Sequence, residues 1–176
     1  MRLQILFSVF TLGYACDLTK EKNWPNGTFS AFHWWQCGGT TTYFSAKTLD
    51  LKGQSAYPIH LTEPLIVETE WETKAEFSKG TIATITLWSY GGVLGCQWSE
   101  VPTLGLLSRL DACSHGVPCP IPSGKQITRI TLDFSNFGSV IRLLKDNTPY
   151  QLQYELKDES TGESSCMLSQ ARAFTK

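Results

Sequence analysis

The strongest constraint on the fold is a period-two alternation of apolar and polar side chains. It is clearest in residues 150–157, where leucine and tyrosine alternate with glutamine, glutamate and lysine. Successive side chains of a β-strand point to opposite faces, so this segment is predicted to be a strand with one buried face. A polar turn at 158–162 and a further apolar segment at 166–174 follow it, which indicates a C-terminal β-hairpin.

Similar segments recur along the chain, separated by glycine, proline and serine clusters. In one of them Glu68, Glu70 and Glu72 alternate with apolar or β-branched residues, which places the three carboxylates together on a solvent-facing side. Many short strands with turn residues between them predict an all-β fold, an antiparallel sandwich of two sheets. The predicted strands are residues 43–51, 67–72, 81–88, 93–99, 127–134, 140–144, 150–157 and 166–174.

One segment, residues 103–112, departs from this pattern. Its leucines are spaced three and four apart, at Leu104, Leu106, Leu107 and Leu110, which predicts one or two helical turns within a loop. Such a stripe could cover one end of the core. Alternatively, it could form a flexible lid or a loop that touches a membrane.

Composition and charge exclude several classes of protein. The chain has 176 residues, of which 41% are hydrophobic, and its 15 basic and 16 acidic residues give a net charge of −1. This composition is that of a globular domain with a sizeable core. No block of like charge is present, so we expect no nucleic-acid partner.

The first 15 residues have the pattern of a signal peptide. Arg2 precedes an apolar run at 3–12, and small residues at Gly13 and Ala15 suit a cleavage site. The alternative is a buried N-terminal strand or helix. Cleavage would leave residues 16–176 as a single domain, and the sequon at Asn26 would suit glycosylation in the secretory pathway.

If the chain is exported, its cysteines are expected to form disulfides, and all of them lie beyond residue 15. An even number of cysteines in an oxidising compartment indicates three disulfides, although the sequence alone leaves their pairing open. Zinc is the alternative, since His115 lies between two of the cysteines, but no fourth ligand is evident and we expect no metal. The cysteines are Cys16, Cys37, Cys96, Cys113, Cys119 and Cys166.

Groups that could carry catalysis are scarce. The histidines are His33, His60 and His115, none of which lies within a catalytic motif, and no nucleophile elbow or phosphate loop is present. We therefore expect neither catalytic residues nor a cofactor. The many aromatic residues would suit either a packed core or a ligand cavity, and composition alone does not decide between them.

Residues 111–121 read Asp-Ala-Cys-Ser-His-Gly-Val-Pro-Cys-Pro-Ile, with Cys113 and Cys119 six positions apart. Gln36-Cys37-Gly38, the strand at 150–156 and Cys166 stand in the order expected around such a loop. Over roughly residues 32–174 the chain resembles the ML lipid-recognition domain family. That family includes the Niemann-Pick type C sterol carrier, the ganglioside activator, the endotoxin co-receptor and group-two mite allergens.

The resemblance implies an immunoglobulin-like sandwich whose two sheets separate and hold the apolar part of a lipid between them. It also implies the disulfides Cys113–Cys119 and Cys37–Cys166, and leaves Cys16 to pair with Cys96. The chain departs from the sterol-carrier pattern, because residues 40–53 contain no cysteine. The additional pair and the leucine-rich loop are closer to the ganglioside-activator type.

The resemblance further implies a secreted or lysosomal monomer that is not an enzyme. It would bind or transfer a sterol, glycolipid or phospholipid and touch membranes transiently. Alternatively, it would present lipid to a hydrolase or receptor partner. Inward strand parity within that fold places nine residues around the cavity: Trp71, Ile85, Leu87, Leu107, Val117, Ile121, Phe134, Leu152 and Tyr154.

Overall fold

The computed structural model describes residues 27–91 and 95–176, which form two β-sheets. The signal sequence, Cys16 and Asn26 lie outside the described residues. The strands are β1 (His33–Gly39), β2 (Thr42–Leu49), β3 (Ile59–His60), β4 (Leu65–Thr73), β5 (Ile82–Tyr90), β6 (Trp98–Glu100), β7 (Leu110–Asp111), β8 (Gly124–Leu132), β9 (Thr148–Lys157) and β10 (Ser164–Phe174).

The larger sheet has the strand order β1-β10-β9-β5-β6, with β7 also paired to β5 and the short β3 paired in parallel to the end of β10. The smaller sheet has the order β2-β4-β8, and all the long strands pair antiparallel. Buried residues from both sheets form one core cluster. The predicted two-sheet antiparallel sandwich is therefore confirmed.

Most predicted strands are present, with shifted ends, but two predictions near the loops differ from the structure. Residues 140–144 are not a strand: Gly138–Ile141 forms the short helix α1, and a turn follows it. Val140 and Leu144 are four residues apart, so a helical turn brings both side chains to one apolar surface, which a strand would not do. Of the predicted strand 93–99, only the last two positions belong to β6, and 92–94 lie outside the described residues.

The helix predicted at residues 103–112 is also wrong, because this segment consists of turns that lead into β7. Leu104, Gly105 and Arg109 have φ angles of 52°, 80° and 54°, in the left-handed region that a right-handed helix cannot contain. The loop is held instead by the Ile85 backbone N–H, which donates to the Leu107 carbonyl at 2.9 Å. Among the described residues no helix has the length and apolarity needed to cross a bilayer.

One end of the sandwich is tightly packed with large side chains. Trp71 is fully buried, and its ring lies 5.8 Å from that of Phe77 and 5.4 Å from that of Tyr43. The indole N–H donates to the Thr128 hydroxyl at 2.8 Å, so the polar atom of the Trp71 ring is satisfied. Aromatic rings therefore fill the space between the sheets at this end.

Buried Glu163 joins the two sheets at the same end. One carboxylate oxygen accepts hydrogen bonds from the hydroxyls of Thr40 and Thr41, between β1 and β2, at 2.8 Å each. The other oxygen accepts from the backbone N–H groups of Lys74 and Ala75, which follow β4, at 3.1 and 2.7 Å. Four donors around one buried carboxylate compensate for its burial and join the ends of four strands, β1, β2, β4 and β10.

Asp158 performs a similar role in the turn between β9 and β10. Its carboxylate accepts from the backbone N–H groups of Ser78, Ser160 and Thr161 at 2.6, 2.9 and 3.2 Å. The hydroxyls of Ser160 and Thr81 donate to it as well. Burial opposes ionisation, but the hydrogen bonds from Ser160 and Ser78 outweigh it and hold the pKa of Asp158 well below its usual range.

We expect this pKa difference to make the stability of the fold depend on pH. A carboxyl group whose pKa is lower in the folded state stabilises the fold above its unfolded pKa of about 3.9, and this contribution is lost as the pH falls further. The melting temperature should therefore decrease as the pH is lowered below about 4. The variant Asp158→Asn should have a lower melting temperature than the wild type at neutral pH and a smaller decrease in acid. Thermal unfolding followed by circular dichroism measures both effects.

Glu72→Gln is the matched control, because Glu72 is an exposed carboxylate on β4. It should leave the acid-dependent fall unchanged. Parallel pH profiles for the wild type and Asp158→Asn would contradict the role assigned to Asp158.

Candidate binding cavity

The opposite half of the sandwich contains a cavity of about 360 Å³ between the two sheets. Small-molecule sites in proteins occupy about 300–1,000 Å³, so this volume is sufficient for a ligand. Its walls come from β4 and β8 on one side, from β5, β9 and β10 on the other, and from the loops at this end. The wall is predominantly apolar.

Small side chains on β10 explain why space remains here. The inward positions at this end of the strand are Ser169, Ala171 and Ala173, all of which line the cavity. The packed half instead holds Trp71 and Phe77. Leu152 and Ile85 point inward from the central strands and are only partly buried, because no side chain fills the space next to them.

Six of the nine predicted residues lie on the cavity wall: Ile85, Leu87, Leu107, Phe134, Leu152 and Tyr154. Trp71, Val117 and Ile121 are buried in the core but do not line it. Ile121 exchanges backbone hydrogen bonds with Phe77 in the packed half, and the N–H of Val117 donates to Ala112. Strand parity shows which side chains point inward, but it does not show which end of the sandwich they occupy.

The prediction omitted most of one wall, which is formed by the segment between β8 and β9. The 3-10 helix Phe134–Phe137 and α1 supply Phe137, Val140 and Ile141 to the cavity. The Tyr150 hydroxyl accepts from the N–H of Lys145 at 2.7 Å and donates to its carbonyl at 2.9 Å, which fastens this segment to β9. The i, i+4 spacing of Val140 and Leu144 was the available sequence signal for this wall.

The disulfide Cys113–Cys119 closes a small loop at the cavity edge. Within it, the carbonyl of Gly116 accepts a hydrogen bond from the N–H of Thr131, near the end of β8, at 3.1 Å. Gly116 has a φ of 93°, and a Cβ there would lie 1.7 Å from the Thr131 carbonyl oxygen. Only glycine permits this approach, which places Ser114 and His115 on the cavity wall.

We expect Gly116→Ala to be strongly destabilising. Gly53→Ala is a matched control, since Gly53 has a φ of 80° and open space around its Cβ position. In this control the free energy of unfolding should fall only by the strain of a side chain at positive φ, about 1–2 kcal/mol. In Gly116→Ala the free energy of unfolding should fall by at least about 1–3 kcal/mol more, because the new methyl group overlaps the backbone of Thr131. Chemical denaturation measures both losses, and equal losses would show that the approach to Thr131 is dispensable.

The pairing Cys37–Cys166 links β1 to β10, and together with Cys113–Cys119 it confirms two predicted disulfides. Cys96 is also disulfide-bonded, but Cys16 lies outside the described residues, so their pairing stays a prediction. The sulfurs of Cys113 and Cys119, which the zinc alternative required as ligands, are bonded to each other in the disulfide. Within the described part of the chain, no group of three His, Cys, Asp or Glu residues is arranged to hold a metal ion.

Together, the two antiparallel sheets and the space between them define a β-sandwich with an internal apolar cavity. The sequence matches the model of the ML domain family over residues 31–173. The chain therefore belongs to the ML domain family and is a lipid-binding domain.

Two crystal structures are similar in part. A Niemann-Pick type C2 protein from Japanese carpenter ant has 11% sequence identity and a TM-score of 0.45, with 80% of this chain and 98% of that chain covered. The C-terminal domain of wzt has 8% identity and a TM-score of 0.36, with 80% and 73% covered. No curated protein sequence matches the chain significantly.

Proposed function

We propose that this protein is a secreted or lysosomal lipid carrier that holds the apolar part of one lipid in the cavity and transfers it between membranes. The observation that carries this proposal is the apolar cavity of about 360 Å³ within an ML domain. On this proposal the nine predicted residues fall into two groups with different roles. The six on the wall contact lipid, whereas Trp71, Val117 and Ile121 support the packed core.

Hydrophobic burial supplies enough free energy for such a carrier. Each methylene group moved from water into an apolar site contributes about 0.8 kcal/mol, so a long acyl chain can be held without a covalent bond. The proposed action is therefore binding and release rather than catalysis. Burial raises the pKa of Tyr154 on the cavity wall, so its phenol stays uncharged in contact with lipid.

The proposed compartment is supported by the disulfides Cys37–Cys166 and Cys113–Cys119, because such bonds persist in oxidising surroundings. It also accords with the signal sequence predicted at residues 1–15 and with the sequon at Asn26, both of which lie outside the described residues. We propose that the mature protein is a monomer.

A variant that fills the cavity tests lipid binding directly. Protein purified from a eukaryotic host should carry lipid that native mass spectrometry detects. Leu152→Trp places a large ring inside the cavity and should lower the lipid-bound fraction at least about tenfold, while the melting temperature stays close to that of the wild type. Leu168→Trp is the matched control, since Leu168 is on β10 but does not line the cavity.

The control should retain the wild-type lipid fraction. Recovery of the wild type without lipid, together with failure to take up fluorescent fatty acid, sterol or glycolipid, would overturn the proposal. Equal lipid loading of Leu152→Trp and the wild type would place the binding site elsewhere.

The leucines of the loop before β7 suggest how lipid reaches the cavity. Leu107 in this loop and Leu110 at the start of β7 line the cavity, whereas Leu104 is 90% exposed and Leu106 is 51% exposed. Exposed leucines next to an apolar cavity are unfavourable in water and favourable in a bilayer. We propose that this loop touches the membrane while lipid passes beneath it.

Replacing both exposed leucines tests this role. Leu104→Ser/Leu106→Ser should slow transfer between vesicles roughly tenfold, because two apolar side chains no longer enter the bilayer. Stability should change by less than about 1 kcal/mol, because neither side chain is buried. Leu51→Ser/Ile127→Ser is the control, as these residues are 63% and 66% exposed and do not line the cavity.

The control should transfer lipid at the wild-type rate, and equal slowing of both variants would exclude a specific role for the loop.

The same assay separates the carrier from an activator or co-receptor. Transfer by the protein alone supports the carrier. Transfer or lipid processing that requires an added hydrolase or receptor would support the alternative.

A further inference from the structure

Most of the polar side chains that line the cavity lie at one edge. The hydroxyls of Thr48 and Ser169 also line the cavity, but they already donate to backbone carbonyls of Ala56 and Leu152 at 2.6 and 3.4 Å. The Tyr150 hydroxyl is bonded to the backbone of Lys145, and the Tyr154 hydroxyl is buried with no hydrogen-bond partner among the described residues. The remaining polar side chains come from two neighbouring segments, the Cys113–Cys119 loop and the end of β8 with the 3-10 helix after it. They are Ser114, His115, Thr131, Asp133 and Asn136.

His115 presents a hydrogen-bond acceptor at this edge. Its Nδ1 lies 2.7 Å from the backbone carbonyl oxygen of Asp111, which can only accept, so Nδ1 carries the proton. In the neutral ring Nε2 then has a free lone pair. The ring centroid lies 5.8 Å from that of Phe137, another cavity residue, which positions the imidazole against the wall.

Ser114 is also limited to accepting. Its hydroxyl donates to the Asp111 carboxylate at 2.9 Å, so only oxygen lone pairs remain for a ligand. The same carboxylate accepts from the N–H groups of Cys113 and Ser114 at 3.0 and 3.2 Å, which fixes the turn.

Asp133 gives the edge its charge. It is the only carboxylate among the described residues that line the cavity, and none of those residues is lysine or arginine. Hydrogen bonds from the backbone and side chain of Ser135 lower its pKa, so the group is ionised at neutral pH. Arg142, at the end of α1, donates to the Ser139 hydroxyl at 3.2 Å and does not line the cavity.

From this arrangement we infer that the cavity selects lipids whose headgroup is neutral or cationic and donates hydrogen bonds, such as an alcohol or an amine, over carboxylates and phosphates. The inference rests on the proposed lipid binding and names its ligand class. An anionic headgroup at this edge would meet the Asp133 carboxylate and no lining cation. A hydroxyl or ammonium group would instead find acceptors on Ser114, His115 and Asp133. Thr131 and Asn136 add side chains that can donate as well as accept, but neither carries a charge.

Ligands that share one tail test the inference. The uncharged fluorophore N-phenyl-naphthylamine is bound first and then displaced, near neutral pH, by dodecanol, dodecylamine, dodecanoate or dodecyl methyl ether. Dodecanoate should need about a fivefold higher concentration than dodecanol, because the exposed Asp133 carboxylate repels it at short range through water. The ether, which cannot donate, should be about threefold or more weaker than dodecanol.

The variant Asp133→Asn removes the charge and keeps an acceptor for the Ser135 N–H, with which Asp133 caps the 3-10 helix. In this variant dodecanoate should displace the probe within about twofold of dodecanol, since the like-charge repulsion is gone. Asp50→Asn is the matched control: Asp50 also accepts backbone N–H groups in a turn but does not line the cavity. It should retain the wild-type selectivity.

The outcomes separate this inference from the proposed function. Equal displacement by dodecanoate and dodecanol in the wild type would overturn the inference and leave lipid binding intact. Selectivity that persists in Asp133→Asn would overturn the role of this carboxylate. Failure of the fluorophore and of every dodecyl ligand to bind would overturn the proposed lipid binding itself.

Discussion

The hydrogen bonds of buried Glu163 hold the two sheets together at one end, and the rest of the structure depends on them. The carboxylate connects the β1–β2 turn with the segment that follows β4, and it lies directly before β10. Asp158 organises the neighbouring turn in the same way. Buried carboxylates are tolerated here because each is surrounded by donors, and removing those donors would leave an uncompensated charge.

Closure at this end allows the sheets to stay apart at the other. Trp71 and Phe77 fill the closed half, whereas Ala171 and Ala173 leave room in the open half. An unfilled apolar cavity destabilises a protein by about 24 cal/mol per Å³. A cavity of about 360 Å³ is therefore a considerable destabilisation, which an apolar ligand would offset on binding. Stability and the proposed lipid binding are linked through this space.

The cavity edge shows how covalent and backbone constraints position a chemical site. The Cys113–Cys119 disulfide and the left-handed Gly116 bring the loop against Thr131. His115 is thereby held next to Phe137 with its tautomer set by the Asp111 carbonyl. The proposed carrier thus combines a wall that recognises apolar surface without direction and one edge at which hydrogen bonding and charge are directional.

Sequence by itself determined the fold class and the buried face of the strands it predicted, because strand alternation is local. It also placed Leu152 and Tyr154 on the inner face of β9. The two disulfides followed from the resemblance to the ML family, since the cysteine pattern alone left the pairing open. Sequence did not distinguish the closed half from the open half, so Trp71 and Ile121 were assigned to a cavity they do not line. That distinction depends on which side chains meet across the sheets, a property of tertiary packing. The turn at 103–112 and the helix α1 were likewise decided by long-range contacts, such as the bond between Ile85 and Leu107, rather than by local spacing.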